Sequence, residues 1–354
     1  MVSGSTEKLI QEITNENLPA GYSRFIVQLS KLYYSLSNSA QKEDPASFLF
    51  DPVVRQNFFY LEALSRIYRK IHDRKMFDLL RNEFKMVEDQ LGKIDFYDGW
   101  VKEFSQQKNF PPELNDYFNS HRETELENFR KLLEAKNWIN NDYEMVRNIL
   151  SDLSSAAWMN AADDRRAIAV FLDDELDDLK DDYEENRFDF NNIEEGVHEF
   201  RRQLRWFSIY AQALDGLIQL KNSEEEENDL KKYLTAEVLN SPYNSLPVPK
   251  QGIIPLYIRA PEFYALSWMV NELGNLKDDG LRFNALWEAV EATHEFSEED
   301  AEAYISSLAG RETLSLEEIP QIVAKVCNEF MHEDDIIKKI RKDIKAAVGL
   351  SNYE

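Results

Sequence analysis

Hydrophobic positions recur along most of this chain with the spacing of an amphipathic α-helix. One such stripe consists of Phe25, Leu29, Leu32 and Leu36. Side chains three, four and seven residues apart share a helix face. Similar stripes run through 58–71 and 77–91, and further helices are predicted at about 112–136, 141–158, 162–185, 192–221, 224–239, 261–276, 279–294, 297–308 and 315–347. No segment alternates with a period of two for long enough to indicate a sheet. The pattern predicts an all-α bundle of long antiparallel helices.

Two segments interrupt or divide this helical pattern. Five of the eleven prolines fall within 241–261. Proline removes helical hydrogen-bond donors and fixes φ, so we expect an extended insertion there. A loop of this length is usually either a functional lid or a plain insertion, and both interpretations stay open. The acidic stretch Asp173–Glu185 marks the expected boundary between two halves, residues 1–172 and residues 173–354.

The two halves share a short sequence pattern. Residues 87–94 and 269–276 both contain an amphipathic helical stretch, then Leu-Gly, then an aliphatic residue two positions later. An acidic residue and another apolar stretch follow in each case. Glycine adopts the left-handed conformation at little cost, so we expect Leu91-Gly92 and Leu273-Gly274 to end their helices. The pattern indicates a faint internal repeat, and hence two similar helical halves.

Composition limits the function classes. The chain has 354 residues, and 41 Lys plus Arg against 66 Asp plus Glu give a net charge of −25. This charge disfavours general nucleic-acid or anionic-membrane binding, so any anion site must be a local basic cluster. The single cysteine, Cys327, excludes a disulfide framework. With no apolar leader and no membrane-length apolar run, we expect a soluble, cytoplasmic protein.

One local basic cluster occurs in the segment 196–210. On a helix, its buried stripe is Val197, Phe200, Leu204, Phe207 and Ala211, and an adjoining ridge consists of His198, Arg201, Arg202 and Arg205. Cations on one helical ridge repel one another unless an anion lies opposite them. Arginine pairs bidentately with carboxylate and with phosphate. The opposing anion is therefore either the carboxylates of another helix or phosphate groups.

The ridge resembles the signature of the CHAD family, the conserved histidine α-helical domain. In that family a helix carries His, Arg three residues on and basic residues about seven on. A later helix contains Leu-Gly-x-aliphatic-(Arg or Asn)-Asp. His198, Arg201 and Arg205 match the first motif, and Leu273–Asp278 matches the second with Lys277 at the variable position. The resemblance covers residues 190–290. It implies an all-α fold of two similar halves whose facing basic helices line a channel that binds inorganic polyphosphate or another polyanion without catalysis.

The match has departures. Trp206 and Ser208 stand where the family has further basic residues, and Asp51–Arg55 stands where the first half should carry its own ridge. A second basic concentration includes Arg66 and Arg69. If the two halves face each other, these two arginines are expected to line the wall opposite the ridge.

Two other function classes stay open. One is an acidic all-α interaction or structural protein that has lost its ligand and has a protein partner. Alternatively, Asp173, Asp174 and Asp177 have the DDxxD spacing that holds Mg²⁺ in all-α prenyl-diphosphate enzymes. No second acidic ligand set and no other catalytic motif accompanies them, so we expect no catalysis, no metal and no cofactor. The basic C-terminal helix 336–348 is expected to dock on the acidic body.

Overall fold

The computed structural model is helical in class, as the sequence predicts. It describes residues 6, 8, 10, 18–140, 142–222, 228–309 and 318–350, and within these ranges two four-residue strands are the only β-strands. The chain forms two compact units, unit 1 (Met1–Asp164) and unit 2 (Arg165–Glu354). The division falls in the first turns of one helix, Ala161–Glu184, whereas the sequence analysis placed the boundary after residue 172.

Unit 1 is built from successive helices joined by short turns. They are α1 (Ala20–Ser39), α2 (Pro45–Leu49), α3 (Pro52–Ile71), α4 (Arg74–Ser105), α5 (Pro112–Ala135) and α6 (Glu144–Ser155). Asp51 and Asp73 cap α3 and α4 by accepting hydrogen bonds from backbone N–H groups of the first turn. Only two residues connect these helices, so α3 and α4 form an antiparallel hairpin. The beginning of α3 therefore lies beside the second half of α4.

A buried polar triad lies in the core of unit 1. The Arg24 Nη1 group donates hydrogen bonds to Tyr68 Oη (2.6 Å) and Asp164 Oδ2 (2.7 Å), and Tyr68 Oη donates to Asp164 Oδ1 at 2.6 Å. The rings of Phe25, Phe77 and Trp158 surround Tyr68. Because each buried charge meets a partner, the triad links α1, α3 and residue 164 without leaving a charge uncompensated.

Unit 2 contains the remaining helices and the two strands. Its helices are α7 (Ala161–Glu184, which crosses the division), a π-helix (Ile193–His198), α8 (Glu199–Ala213), α9 (Ala236–Leu239), α10 (Ala260–Thr293), α11 (Glu298–Ala309), α12 (Glu318–Asn328), a second π-helix (Glu329–Glu333) and α13 (Ile336–Ala347). Strand β1 (Ile218–Lys221) pairs in parallel with β2 (Leu256–Arg259), with Ile218 opposite Leu256. The predicted helix 192–221 therefore ends early, and β1 was missed because four residues are too few to show alternation. The predicted helices 261–276 and 279–294 form the single helix α10.

The π-helix and α8 run antiparallel to α10. From the C-terminal half of α10 toward its N-terminus, Gly280 packs against Ile193 and Gly274 packs against Arg201. The ring of Phe263 then lies 6.5 Å from that of Phe207. This register brings the predicted basic ridge alongside the Leu-Gly motif of α10.

The proline-rich segment 241–261 is held by side chains of unit 2. Three side chains donate hydrogen bonds to its carbonyl oxygens: Gln212 to Tyr243, Gln219 to Pro247 and Arg165 to Ile254, each at 2.8 Å. The segment contains a short 3₁₀ turn at Pro242–Asn244, then β2, and ends in the first turn of α10. In the part of the chain that is described, no helix is long and apolar enough to cross a membrane.

Candidate anion-binding site

Arg201 of α8 lies on the backbone of α10. Its Nε donates a hydrogen bond to the carbonyl oxygen of Val270 at 2.9 Å. A Cβ atom placed on Gly274 would lie 3.1 Å from Arg201 Nε and 3.2 Å from Nη2. The absence of a side chain at Gly274 thus makes room for the guanidinium. The two sequence motifs are joined by this contact.

The expectation that Leu-Gly ends a helix was wrong in both units. Gly92 lies inside α4 and Gly274 inside α10, and neither has positive φ. Instead, each glycine receives an arginine side chain. Arg55 Nη2 lies 2.8 Å from the position of a Cβ on Gly92, as Arg201 lies against Gly274. Close packing, rather than left-handed backbone, explains these glycines.

The charge of Arg201 is partly removed from water and is not neutralised by a neighbouring carboxylate. Within the described residues, no Asp or Glu oxygen lies within 4.0 Å of its guanidinium. Burial lowers the pKa of Arg201, and the negative charge of Asp278 opposes that lowering. An arginine keeps its proton under such conditions. The site therefore holds a positive charge with reduced hydration.

The other ridge residues differ from Arg201 in their partners. Arg202 is exposed and pairs with Glu199 at 2.6 Å. Lys277 is mostly buried, and its Nζ lies 2.7 Å from Asp278 Oδ1. His198 and Arg205 are both half-buried, one turn before Arg201 and one turn after it. The antiparallel register places Lys277 near the level of His198, since it falls between Gly274 and Gly280.

A π-helix precedes Arg201 and depends on one glycine. A Cβ at Gly196 would overlap the backbone carbonyl of Asp189, so only glycine fits this close approach. The widened turn ends at His198, and α8 follows directly. Single π-turns inside helices occur frequently at functional sites. The sequence signal for it was Gly196 at the head of the ridge, but periodicity alone does not distinguish a π-turn from an α-turn.

Arg66 and Arg69 lie in unit 1, on α3. Arg69 Nε is 2.6 Å from Asp78 Oδ1, so the charge of Arg69 is neutralised within unit 1. Burial raises the pKa of the Glu62 carboxyl, and the positive charge of Arg66 opposes that rise. Their expected place on a wall opposite the ridge stays a prediction.

Unit 1 holds a neutralised counterpart of the Arg201 contact. Arg55, near the start of α3, donates from Nε to Glu88 Oε1 at 3.0 Å and from Nη1 to Asp95 Oδ2 at 2.6 Å. Arg55 stands in the sequence where a ridge was expected, but its packing on Gly92 was not predicted. That packing depends on a residue thirty-seven positions away, which no local pattern identifies.

Two of the three DDxxD-like carboxylates of α7, those of Asp173 and Asp177, contact basic side chains of α13. Arg341 Nε lies 2.8 Å from Asp173 Oδ1, and its Nη1 pairs with Asp177. Lys345 Nζ lies 3.3 Å from Asp173 Oδ2. Among the described residues, no group of three or more His, Cys, Asp or Glu side chains is arranged to hold a metal ion. The ion pairs of Asp173 and Asp177 hold α13 on α7.

Comparison with known proteins adds no further assignment. No protein-family model, no curated protein and no solved structure matches this chain.

Proposed function

We propose that this chain binds a phosphate-rich polyanion, inorganic polyphosphate or a ligand of similar chemistry, without catalysing a reaction. The binding surface is the Arg201 face, which we define as His198, Arg201, Arg205 and Lys277. One observation carries the proposal. The half-buried guanidinium of Arg201 lies on Gly274, with no carboxylate of the described residues at ion-pair distance.

The free energy of burying a charge supports a ligand at this position. A cation that is partly removed from water and has no counter-ion in contact is unfavourable, and this chain has 66 acidic residues with which to pair 41 Lys and Arg. Arg201 uses Nε on Val270 O, and within the described residues its Nη groups have no hydrogen-bond partner. A phosphate oxygen is a suitable acceptor for those groups, because guanidinium and phosphate form short charge-assisted hydrogen bonds.

The spacing of the cations supports a ligand with several charges. From His198 to Arg205 the helix rises by about 10 Å, at about 1.5 Å per residue. A chain of phosphate groups can contact cations along this length in succession, whereas a single small ion cannot. The local cluster also has to overcome the repulsion of a molecule with net charge −25. Several simultaneous contacts offset that repulsion better than one.

The experiment is a calorimetric titration with sodium tripolyphosphate at low salt. Wild type is compared with Arg201→Met, which keeps the length of the side chain and removes its charge. We expect at least a tenfold loss of affinity, since a hydrogen bond to a charged group contributes roughly 1.5–3 kcal/mol and about 1.4 kcal/mol is tenfold.

The matched control is Arg187→Met in the same unit. Arg187 is exposed and pairs with Asp182 and Glu185, so its removal should leave tripolyphosphate affinity unchanged. If wild type fails to bind at low salt, or if both variants lose affinity equally, the proposal is wrong.

A second candidate function is an acidic helical interaction protein. It is favoured by a group of exposed apolar side chains in and beside the proline-rich segment: Leu239, Tyr243, Val248, Ile254 and Tyr257. It is also favoured by Arg202 and Lys277, whose charges already meet carboxylates. Absence of tripolyphosphate binding by wild type would leave this candidate as the better account.

A further inference from the structure

Each unit places an arginine from the start of one helix on a glycine inside an antiparallel partner helix. In unit 1 the pair is Arg55 and Gly92, and in unit 2 it is Arg201 and Gly274. In both, the glycine follows a buried leucine in a long helix. The two arrangements can therefore be compared position by position along α4 and α10.

The residues around the two glycines differ in charge. Four positions before the glycine, α4 has Glu88 and α10 has Val270; three positions after it, α4 has Asp95 and α10 has Lys277. Both carboxylates of α4 contact Arg55. In α10 the corresponding side chains are an apolar group and a cation, and neither can neutralise Arg201.

The carboxylates of Glu88 and Asp95 contact separate edges of the Arg55 guanidinium. Glu88 Oε1 lies 3.0 Å from Nε and 2.9 Å from Nη2, and Asp95 Oδ2 lies 2.6 Å from Nη1. The Glu88 side chain is 10 % exposed, whereas that of Asp95 is 60 % exposed. Carboxylate and phosphate oxygens engage a guanidinium with the same geometry. Glu88 and Asp95 thus stand where oxyanion oxygens would bind.

We propose that Arg55 and Gly92 form a second oxyanion site that the protein's own carboxylates fill. Glu88 and Asp95 take the place of ligand oxygens, so unit 1 binds no external phosphate while both are present. The wild-type chain accordingly binds at one arginine-on-glycine site, that of Arg201, which is the part of this inference that rests on the proposed function. Removing the two carboxylates opens the site of unit 1 to phosphate oxyanions.

The test uses Glu88→Gln plus Asp95→Asn, two changes that keep side-chain shape and remove charge. They are made in an Arg201→Met background, so that binding at unit 2 is weakened. Binding of sodium tripolyphosphate to each variant is measured by calorimetric titration at low salt. We expect the triple variant to gain saturable binding, at least tenfold tighter than Arg201→Met alone, with one tripolyphosphate per chain.

Adding Arg55→Met to the triple variant provides the control, and it should abolish the gained binding. Circular dichroism and melting show whether each variant is folded. Should the loss of buried Glu88 prevent folding, Asp95→Asn with Arg201→Met decides the question, because Asp95 is largely exposed. That variant should bind tripolyphosphate measurably tighter than Arg201→Met alone.

A folded triple variant without tripolyphosphate binding would overturn the inference, as would binding that persists after Arg55→Met. The proposed function fails separately. If wild type does not bind but Glu88→Gln plus Asp95→Asn does, the site of unit 1 stands and the assignment of Arg201 is wrong.

Discussion

Two buried carboxyl groups in unit 1, those of Asp164 and Glu62, differ in their hydrogen bonds and in their distance from cations. Asp164 receives hydrogen bonds from both Arg24 and Tyr68. Glu62 is 2 % exposed, and Arg81 Nε lies 3.7 Å from its Oε1. Burial raises the pKa of Glu62 to about 7, although the positive charge of Arg66 opposes the rise. Folding therefore favours the protonated form of Glu62.

The stability of wild type should consequently depend on pH through Glu62. A carboxyl group whose pKa is raised by folding contributes most below its unfolded pKa, and the contribution is lost as pH rises through the folded value of about 7. Between about pH 5 and pH 8, the loss of unfolding free energy caused by ionisation of Glu62 is roughly 2 kcal/mol, since one unit of pKa is about 1.4 kcal/mol.

Urea denaturation of wild type and Glu62→Gln at several pH values measures this effect. The difference in unfolding free energy between the two proteins should shift in favour of Glu62→Gln as pH rises. A difference that does not change with pH would show that folding does not raise the pKa of Glu62.

The sequence indicated Arg201 but not how it differs from Arg202. Both lie on the predicted ridge, and their spacing gave no reason to separate them. In the structure, Arg202 meets Glu199 on its own helix, whereas Arg201 meets Gly274 and Val270 of α10. Contacts with a residue about seventy positions away depend on tertiary packing, which helical periodicity does not encode.

At the scale of elements, the two internal glycines are a consequence of helix packing. Glycine inside a helix costs about 1 kcal/mol relative to alanine. Gly92 and Gly274 lie within long helices without positive φ, so the cost must be offset by something other than a turn. The arginine that packs on each glycine supplies this compensation, because a Cβ would displace the guanidinium.

Gly274→Ala tests this interpretation of α10. The new Cβ would lie 3.1 Å from Arg201 Nε, so the guanidinium should shift and tripolyphosphate affinity should fall several-fold. The matched control is Gly99→Ala in α4, where no atom lies within 4 Å of the new Cβ. It should raise the unfolding free energy by about 0.5–1 kcal/mol and leave binding unchanged.

Calorimetry and urea denaturation of both variants provide the measurement. Gly274→Ala should be stabilised less than Gly99→Ala, since its gain in helix propensity is offset by the displaced arginine. An unaltered tripolyphosphate affinity in Gly274→Ala would contradict the role given to this glycine.

The helical elements were largely predictable, and the exceptions have physical causes. Long amphipathic stripes such as that of α1 identify their helices directly, because their apolar residues face one core. The continuity of α10 was missed because Gly274 and the polar residues after Leu276 resemble a helix end. The strands β1 and β2 were missed because their pairing joins segments far apart in sequence, each only four residues long.

At the scale of the whole molecule, a charge of −25 sets the condition that any anion site must meet. Acidic side chains neutralise the cations of Arg24, Arg69, Arg187 and Arg341 within their own units. Arg201, by contrast, has no carboxylate of the described residues within ion-pair distance. Salt screens both the overall repulsion and the local attraction. Weakening the repulsion raises the affinity for a polyanion, whereas weakening the attraction lowers it.

The most direct test of the account is therefore tripolyphosphate affinity as a function of salt, for wild type and for Arg201→Glu plus Arg205→Glu. We predict that wild type binds at low salt and loses affinity steeply as salt rises through about 0.1 M, where the Debye length is about 10 Å. The folded double variant should not bind. Absence of wild-type binding at low salt, or binding that the double variant retains, would contradict the account.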